Sequence, residues 1–560
     1  MSLSEALVDA LRRLGVDQAF GVMGGAMAPF FRALGRSEIQ HYHLRHEAGA
    51  AFAAVEASLA TRRPVLVFTT AGPGLSNALT GMLAARWDGA HVIFVSASTS
   101  AQHRGRVATQ ETTPTTLGAG LFAPGGGLHE AFLLEHPAQL APAVARIAAG
   151  LRRPGGFVAH VSLPIDRQTA AASPVRLVDL GDTTPMCPQS TIDRHAELLA
   201  GKPLTIWLGY GARHAAEQVR CLAESTGARV MCSPRGKGVF PEDHPQFIGV
   251  TGLGGHSEVD DLLKADRPEY TLVLGTRMGE STSFWAPELA PSAAFIHVDS
   301  DPAAFGAAYP DVPTHAAHAD VGRYCAALIA ALARVSATPA RLVERPRRPP
   351  LQPRGEGPVR PQQLFAAIQR VFVEGSDAWI IAESGNSFCW STHLLSFDRP
   401  GRYRVSTGFG SMGHATSSVV GAALARRGKA VALVGDGAMM MMNELHSAVQ
   451  YGADAVWVVL NDACYLMCAQ GMTAMGWQPW SCALPRVDFV ALARAVGADG
   501  ERVTRETDVA AALERAARAR GPWVLDVHVD PAEVPPSGRR NRSLMQQGHD
   551  ASRHAARGAQ

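Results

Sequence analysis

Short apolar runs that stop abruptly at glycine or acidic turns recur along the whole chain. PVLVFTT (64 to 70) gives way to AGPGLSNALTGMLAA and then HVIFVSAS, a strand, glycine turn, helix, strand pattern. The rhythm returns at TIWLGYG (205 to 211), TLVLGTR (271 to 277), FIHVDSD (295 to 301), WIIAESG (379 to 385), AVALVGDG (430 to 437) and AVWVVLND (455 to 462). Buried strands alternating with helices predict an α/β fold of doubly wound parallel sheets covered by helices on both faces. Ligands in such sheets gather beyond the carboxyl ends of the strands, and every motif below sits at such an end.

With 560 residues the chain exceeds what one core supports, and about three domains of roughly 150 to 200 residues are expected. Pro- and Arg-rich stretches near 165 to 190 and at 341 to 361 read as linkers. They divide the chain into 1–170, 185–335 and 360–535, with a polar tail at 536–560. The tail, rich in Arg and His, reads as a mobile terminus, with a lid over the active site or a contact for an anionic CoA-type substrate as the sharper alternative.

A net charge of +2 gives no footprint for nucleic acid or a membrane surface. The N-terminus lacks a signal-type apolar run and no stretch of about 18 apolar residues occurs, so a cytoplasmic location is expected. Eight scattered cysteines, without zinc-like spacing, are expected to be reduced and mostly structural.

The richest motif is VALVGDGAMMMMNELHSAVQYGADAVWVVLND, a strand ending at Gly435-Asp436-Gly437, a helix, and a strand ending at Asn461-Asp462. Asp436 and Asn461 stand 25 residues apart, the length of a crossover that sets two strand ends side by side. An acid at one end and an amide and acid at the other suit Mg²⁺ shared with phosphate oxygens. The glycines let a diphosphate approach, and the following helix offers free N–H groups. Alone, such a turn reads as strand-to-helix punctuation with a capping Asp.

The pairing resembles the thiamine-diphosphate enzyme family. The resemblance implies metal ligation by the side chains of Asp436 and Asp462 and the carbonyl of Cys464, with cofactor contacts from Gly435, Gly437, Ala438 and Asn461. Asp462 departs from the commoner Asn. FGVMGG, RHEAGAAFAA and TAGPGLSNALTG follow the family's order over the first 90 residues, which makes Glu47 the carboxyl that activates the cofactor through its pyrimidine ring. Gly24, Gly72, Pro73 and Asn77 would line the pyrimidine side, with Met23 where the family usually has Pro. IIAESGNSFCW implies diphosphate contacts at Gly385, Asn386 and Ser387, and VSTGFGSMGHATSSVVGAALA implies Gly410 and Met412, the latter wedged beneath a bent cofactor.

Within the family, the stretch SASTSAQHRGRVATQETTPTTLG lacks the adjacent His pair of simple decarboxylases and is similar to acetolactate synthases, so Gln110 would donate a hydrogen bond to the bound keto oxygen. Thr109 and Gly471 replace a Phe and a Trp common in that branch, which enlarges the expected pocket; Tyr465, Leu466 and Met467 would form its wall, and His414 would face it. The implied function is decarboxylation of a 2-oxo acid donor and ligation of the acyl carbanion to a carbonyl acceptor. The alternatives are a non-ligating decarboxylase, a 2-hydroxyacyl-CoA lyase, or a non-catalytic nucleotide- or flavin-binding relative. Thiamine diphosphate and Mg²⁺ are the expected cofactors. FAD in the central block is possible but disfavoured, because other flavin-contacting segments are not evident. Self-association as a dimer or tetramer follows from the resemblance, with the cofactor held between two subunits.

Overall fold

A computed structural model describes residues 1–125, 127–334, 351–441 and 443–549. It contains three six-stranded sheets, every strand pair parallel. The first comprises β1 (Gln18–Gly21), β2 (Gln40–His43), β3 (Val65–Thr69), β4 (His91–Ser98), β5 (Glu130–Leu133) and β6 (Phe157–Pro164), in the order β2-β1-β3-β4-β6-β5. The second comprises β7 (Thr205–Leu208), β8 (Arg229–Cys232), β9 (Phe247–Val250), β10 (Tyr270–Leu274), β11 (Ala294–Asp299) and β12 (Thr314–His318), in the order β12-β11-β10-β7-β8-β9. The third comprises β13 (Trp379–Ala382), β14 (Tyr403–Val405), β15 (Ala430–Gly435), β16 (Ala455–Asn461), β17 (Asp499–Val503) and β18 (Trp523–His528), in the order β14-β13-β15-β16-β18-β17.

The central strands carry apolar residues on both faces, as burial under helices on two sides demands. All seven residues of β16 are buried. Small residues bring helices unusually close at the centre of the molecule. In the helix Glu47–Thr61, Ala51 meets Gly81 and Ala53 meets Gly421 so tightly that a Cβ on either glycine would fall 2.1 Å from its neighbour. The alanine-rich sequence of this helix is therefore a packing requirement: it is covered by the helix Pro73–Asp88 on one side and by His414–Arg426 on the other.

Two sequence expectations change here. The second linker is not free after residue 350: Val359 bridges Val529, and the buried carboxylate of Glu506 accepts hydrogen bonds from Arg354 and Arg360. Residues 341–350 lie outside the described residues. The tail is not mobile through residue 549, because it forms the helix Gly538–Leu544 and a further turn, docked by Arg539 on Asp260 and by Ser543 and Gln547 on Glu280. Its remainder lies outside the described residues. Among the described residues no helix is long and apolar enough to cross a membrane, and none of the cysteines forms a disulfide.

Candidate active site

The register of the third sheet brings the two halves of the acidic motif together. Gly435 stands opposite Leu460, so Asp436 and Asn461 leave adjacent strands side by side. Burial raises both Asp436 and Asp462; for Asp462 the neighbouring Asp436 charge adds to burial, and its carboxyl rises to about 7. The N–H groups of Gly437, Ala463 and Cys464 face Asp436 and counter the effect. Oδ1 of Asp462 is buried without a hydrogen-bond partner. Cys464 pairs with Ala483, but the bridging hydrogen bonds run through Ala463 and Tyr465, and no bond among the described residues takes the Cys464 carbonyl. Two crowded carboxylates, an orphaned oxygen and a spare carbonyl form a donor set suited to a hard divalent cation.

Around this corner the expected cofactor residues divide. Tyr465, exposed, lays its ring over Gly437, where a Cβ would fall 2.5 Å from the ring edge. Ala438 is buried, and its carbonyl accepts from Thr416 Oγ1. Leu466 and Met467 open the helix Leu466–Ala474. Gly385, at φ +118°, turns the chain into the helix Asn386–Leu394, whose first N–H groups have no intrahelical acceptor. The Ser387 hydroxyl donates to the Glu383 carbonyl, so its one side-chain proton is already committed and a phosphate oxygen would meet its backbone N–H. Met412 is 38% exposed, so it is not core filling; Gly410, at φ +65°, lies beside Ser384.

Asn461 is a correction. Its amide donates to the Val487 carbonyl and to Asp526, and its Oδ1 accepts from Arg486, so the side chain is turned into the sheet and away from the acidic corner. Gly471 is a second. The space a larger residue would fill is occupied by Arg540, whose Nη1 lies 3.2 Å from the position of a Cβ there.

The other half-site lies on the first sheet. Glu47 is the first residue of its helix, 8% exposed, and Asn77 Nδ2 donates to its Oε2 at 3.1 Å. Gly74 lies against Oε1, and Gly24 sits so close to Thr70 that no side chain fits. Gly72, at φ +58°, precedes Pro73 at the start of its helix and backs onto Gln110, itself exposed and left-handed at φ 56°. Met23 is exposed. No contact among the described residues joins Glu47 to Asp436.

Sequence reasoning missed two buried glutamates that position these elements. Glu444 accepts from the N–H groups of Arg45 and His46 and so fixes the entrance to the Glu47 helix. Glu383 accepts from the N–H groups of Ala415 and Thr416 and caps the helix that follows Met412. Burial raises both carboxyls. Their only sequence signal is an acid inside an otherwise apolar run.

His414 does not face the pocket. It is buried against Phe52 and lies 3.4 Å from Glu56, which also takes a two-point ion pair from Arg404. Asp88 joins the cluster with Arg235 at 3.6 Å, and Arg404, Arg213 and Arg235 surround the ring of Tyr210 at 4.5, 4.0 and 4.4 Å. Glu56, Asp88 and His414 offer oxygen and nitrogen atoms within 4.8 Å of one another, but Arg404 and Arg235 already pair with the Glu56 and Asp88 carboxylates.

A separate cavity of about 570 Å³ opens at the carboxyl ends of β7, β8, β10 and β11. Arg86, Arg213, Arg235, Arg277, Asp299 and Asp301 line it, and burial pushes Asp299 up to about 6. Its far end reaches Ser384, Gly385, Gly410 and Met467.

Three parallel sheets, an acidic corner beside a glycine-turned helix start, and a buried carboxyl held by an amide agree with comparison to known proteins. Residues 1–133 match the N-terminal TPP binding domain of thiamine pyrophosphate enzymes, residues 192–328 the central domain and residues 383–527 the C-terminal TPP binding domain. The chain belongs to the thiamine pyrophosphate enzyme family and is a thiamine-diphosphate-dependent enzyme. It is 30% identical to an acetolactate synthase of Mycobacterium avium over 548 residues, which spans 92% of this chain and 85% of that protein. It is 29% identical to a probable acetolactate synthase large subunit of Methanocaldococcus jannaschii over 577 residues (96% and 94% of the two chains). With the acetolactate synthase isozyme 2 large subunit of Escherichia coli it shares 27% identity over 569 residues (97% and 99%).

Proposed function

We propose that this enzyme is a carboligase of the acetolactate synthase type, which decarboxylates a 2-oxo acid and joins the acyl fragment to a second carbonyl compound. The likeness to acetolactate synthases over nearly the whole chain carries this reading. Bound thiamine diphosphate supplies the electron sink for decarboxylation and the nucleophilic carbon for ligation. Asp436, Asp462 and the Cys464 carbonyl would hold Mg²⁺, and the N–H groups that begin the helix at Asn386 would bind the diphosphate. Met412 would pack against the bound cofactor. Glu47 would exchange a proton with the pyrimidine ring of the bound cofactor, and Asn77 fixes the orientation of its carboxyl. Gln110, on the loop over Gly72, donates to the substrate keto oxygen.

The Glu47 half-site and the acidic corner complete each other across two copies of the chain. Exposed Met23, Met412, Met440 and Met441 support such an interface, because isolated chains rarely leave so many large apolar side chains uncovered around two half-sites. Each copy divides at 1–170, 185–335 and 360–535, one sheet to each block. The central cavity, in the range of roughly 300 to 1,000 Å³ typical of cofactor sites, favours an occupant there, a redox-silent flavin included. The visible absorption of the purified protein decides that point.

Product analysis with thiamine diphosphate, Mg²⁺ and a set of 2-oxo acids tests the main reading. Acyloin-type products are expected; free aldehyde alone overturns it.

A further inference from the structure

Threonines fasten the loop that carries Gln110. Thr112 is fully buried and Thr99 nearly so, although neither belongs to a strand or a helix. The Thr112 N–H donates to Thr99 Oγ1 at 2.8 Å, and the Thr99 N–H donates to the Thr112 carbonyl at 3.1 Å, which pins the loop to the end of β4. Within the loop, Glu111 Oε1 accepts from the Gly105 N–H at 2.6 Å, and Thr116 Oγ1 donates to the Glu111 carbonyl at 3.0 Å.

The Thr112 side chain reaches further. Its Oγ1 accepts from the Gly72 N–H at 2.5 Å and donates its one proton to the Gln110 carbonyl at 2.9 Å. Both residues it joins have positive φ, Gly72 at +58° and Gln110 at 56°. Glycine enters that region freely, whereas glutamine does so rarely and stays only where its surroundings over-determine it. Here the surroundings are the Thr112 hydroxyl and the backbone of Gly72, which Gln110 approaches so closely that a Cβ on the glycine would fall 2.9 Å from the glutamine's own. Gly72 in turn starts the helix whose Asn77 holds Glu47. One hydroxyl therefore spans from the turn beside the Glu47 half-site to the loop residue read as the substrate's hydrogen-bond donor. A valine would fill the same volume and leave the Gly72 N–H buried without an acceptor.

We propose that Thr112 is a positioning residue: its hydroxyl keeps Gln110 in the positive-φ conformation and ties that conformation to the Gly72 turn, so that seating of the cofactor and recognition of the substrate depend on one contact. This rests on the reading of Gln110 as the donor to the keto oxygen and is independent of the ligation step.

The test uses the full-length enzyme with thiamine diphosphate and Mg²⁺ and follows CO₂ release from pyruvate. At saturating cofactor, Thr112→Val should lower kcat/KM about 10- to 100-fold, and Thr112→Ser, which restores the hydroxyl without the methyl group, should recover most of the loss. The double variant Gln110→Ala, Thr112→Val should be no slower than Gln110→Ala alone, because the threonine acts through the glutamine. Losses that multiply overturn the proposal, as does a Thr112→Val enzyme whose only change is weaker cofactor affinity. Where Thr112→Val does not fold, Thr112→Ala takes its place in the cycle. A second measurement needs no substrate and decides alone if pyruvate is not consumed. Thiamine diphosphate with Mg²⁺ should slow amide hydrogen exchange across residues 105–112 in the unaltered enzyme and in Thr112→Ser, but not in Thr112→Val. Exchange in the unaltered enzyme that ignores the cofactor overturns the coupling. A Gln110→Ala enzyme with undiminished kcat/KM removes the reading of Gln110 first, and this proposal with it.

Discussion

Glu56 and Arg404, 348 positions apart in the chain, form a two-point ion pair with both contacts at 3.2 Å and both side chains sealed from solvent. His414 and the Trp379 indole complete the shell around the carboxylate. Removing one member of such a set strands the others in a medium that cannot solvate them. Glu56→Ala should therefore destabilise the protein by about 3 to 5 kcal/mol, measured by urea unfolding. Loss below about 1 kcal/mol, the range of exposed pairs, contradicts the buried geometry.

The same carboxylate sets an acid limit. Burial pushes Glu56 upward, but Arg404 and His414 outweigh it and hold the carboxyl near 2, against an ordinary 4.5. A depressed value means the stabilisation is complete above pH 4.5 and fades as pH falls toward 2. The gap in unfolding free energy between the unaltered protein and Glu56→Gln should narrow within that window, and it should also shrink as pH rises above 6.5, where His414, held protonated by Glu56, loses its charge. A gap that stays constant to pH 2 removes the ion pair as its source.

Glu47→Gln keeps the Asn77 contact and the helix start but loses the exchangeable proton. Turnover should fall about 10²- to 10⁴-fold, the usual worth of a positioned acid or base, while circular dichroism and cofactor affinity change little. Unaltered turnover would remove Glu47 from the chemistry.

Asp436→Ala takes one of two carboxylates from the crowded corner. Cofactor binding, followed by tryptophan fluorescence, should lose its dependence on Mg²⁺, and chelation of the unaltered enzyme should mimic the substitution. Retained Mg²⁺ dependence would place the cation elsewhere.

Gly421→Ala puts a methyl group 2.1 Å from the Ala53 carbonyl oxygen, a backbone atom that cannot step aside. Overpacking of this kind costs about 1 to 3 kcal/mol, and thermal unfolding should show it without any change at the cofactor residues.

Much of this molecule is legible in its sequence because strands buried on both faces must be apolar throughout, and the turns that end them must be glycine or acid. The 25-residue spacing places Asp436 beside Asn461 for the same reason, since a crossover of that length has one geometry. The direction of the Asn461 side chain was not legible: it is decided by Asp526 and Val487, which arrive from distant strands and loops. Nor could Glu56 be read as a partner for residues near 404 and 414, because an acid in an alanine-rich helix looks like a solvated face until the opposing helix is in place. Arg540 was hidden for a related reason: the polar composition of the tail pointed to disorder, while its docking depends on single contacts to Asp260 and Glu280.

The charge cluster takes Glu56 and Asp88 from the first block, Arg235 and Tyr210 from the second, and Arg404 and His414 from the third. Three modules that share one network of buried charges cannot be exchanged one at a time. A chimera that borrows its middle block from a relative without an arginine at position 235 would leave Asp88 uncompensated, so in this lineage the blocks must be inherited, or engineered, as a set.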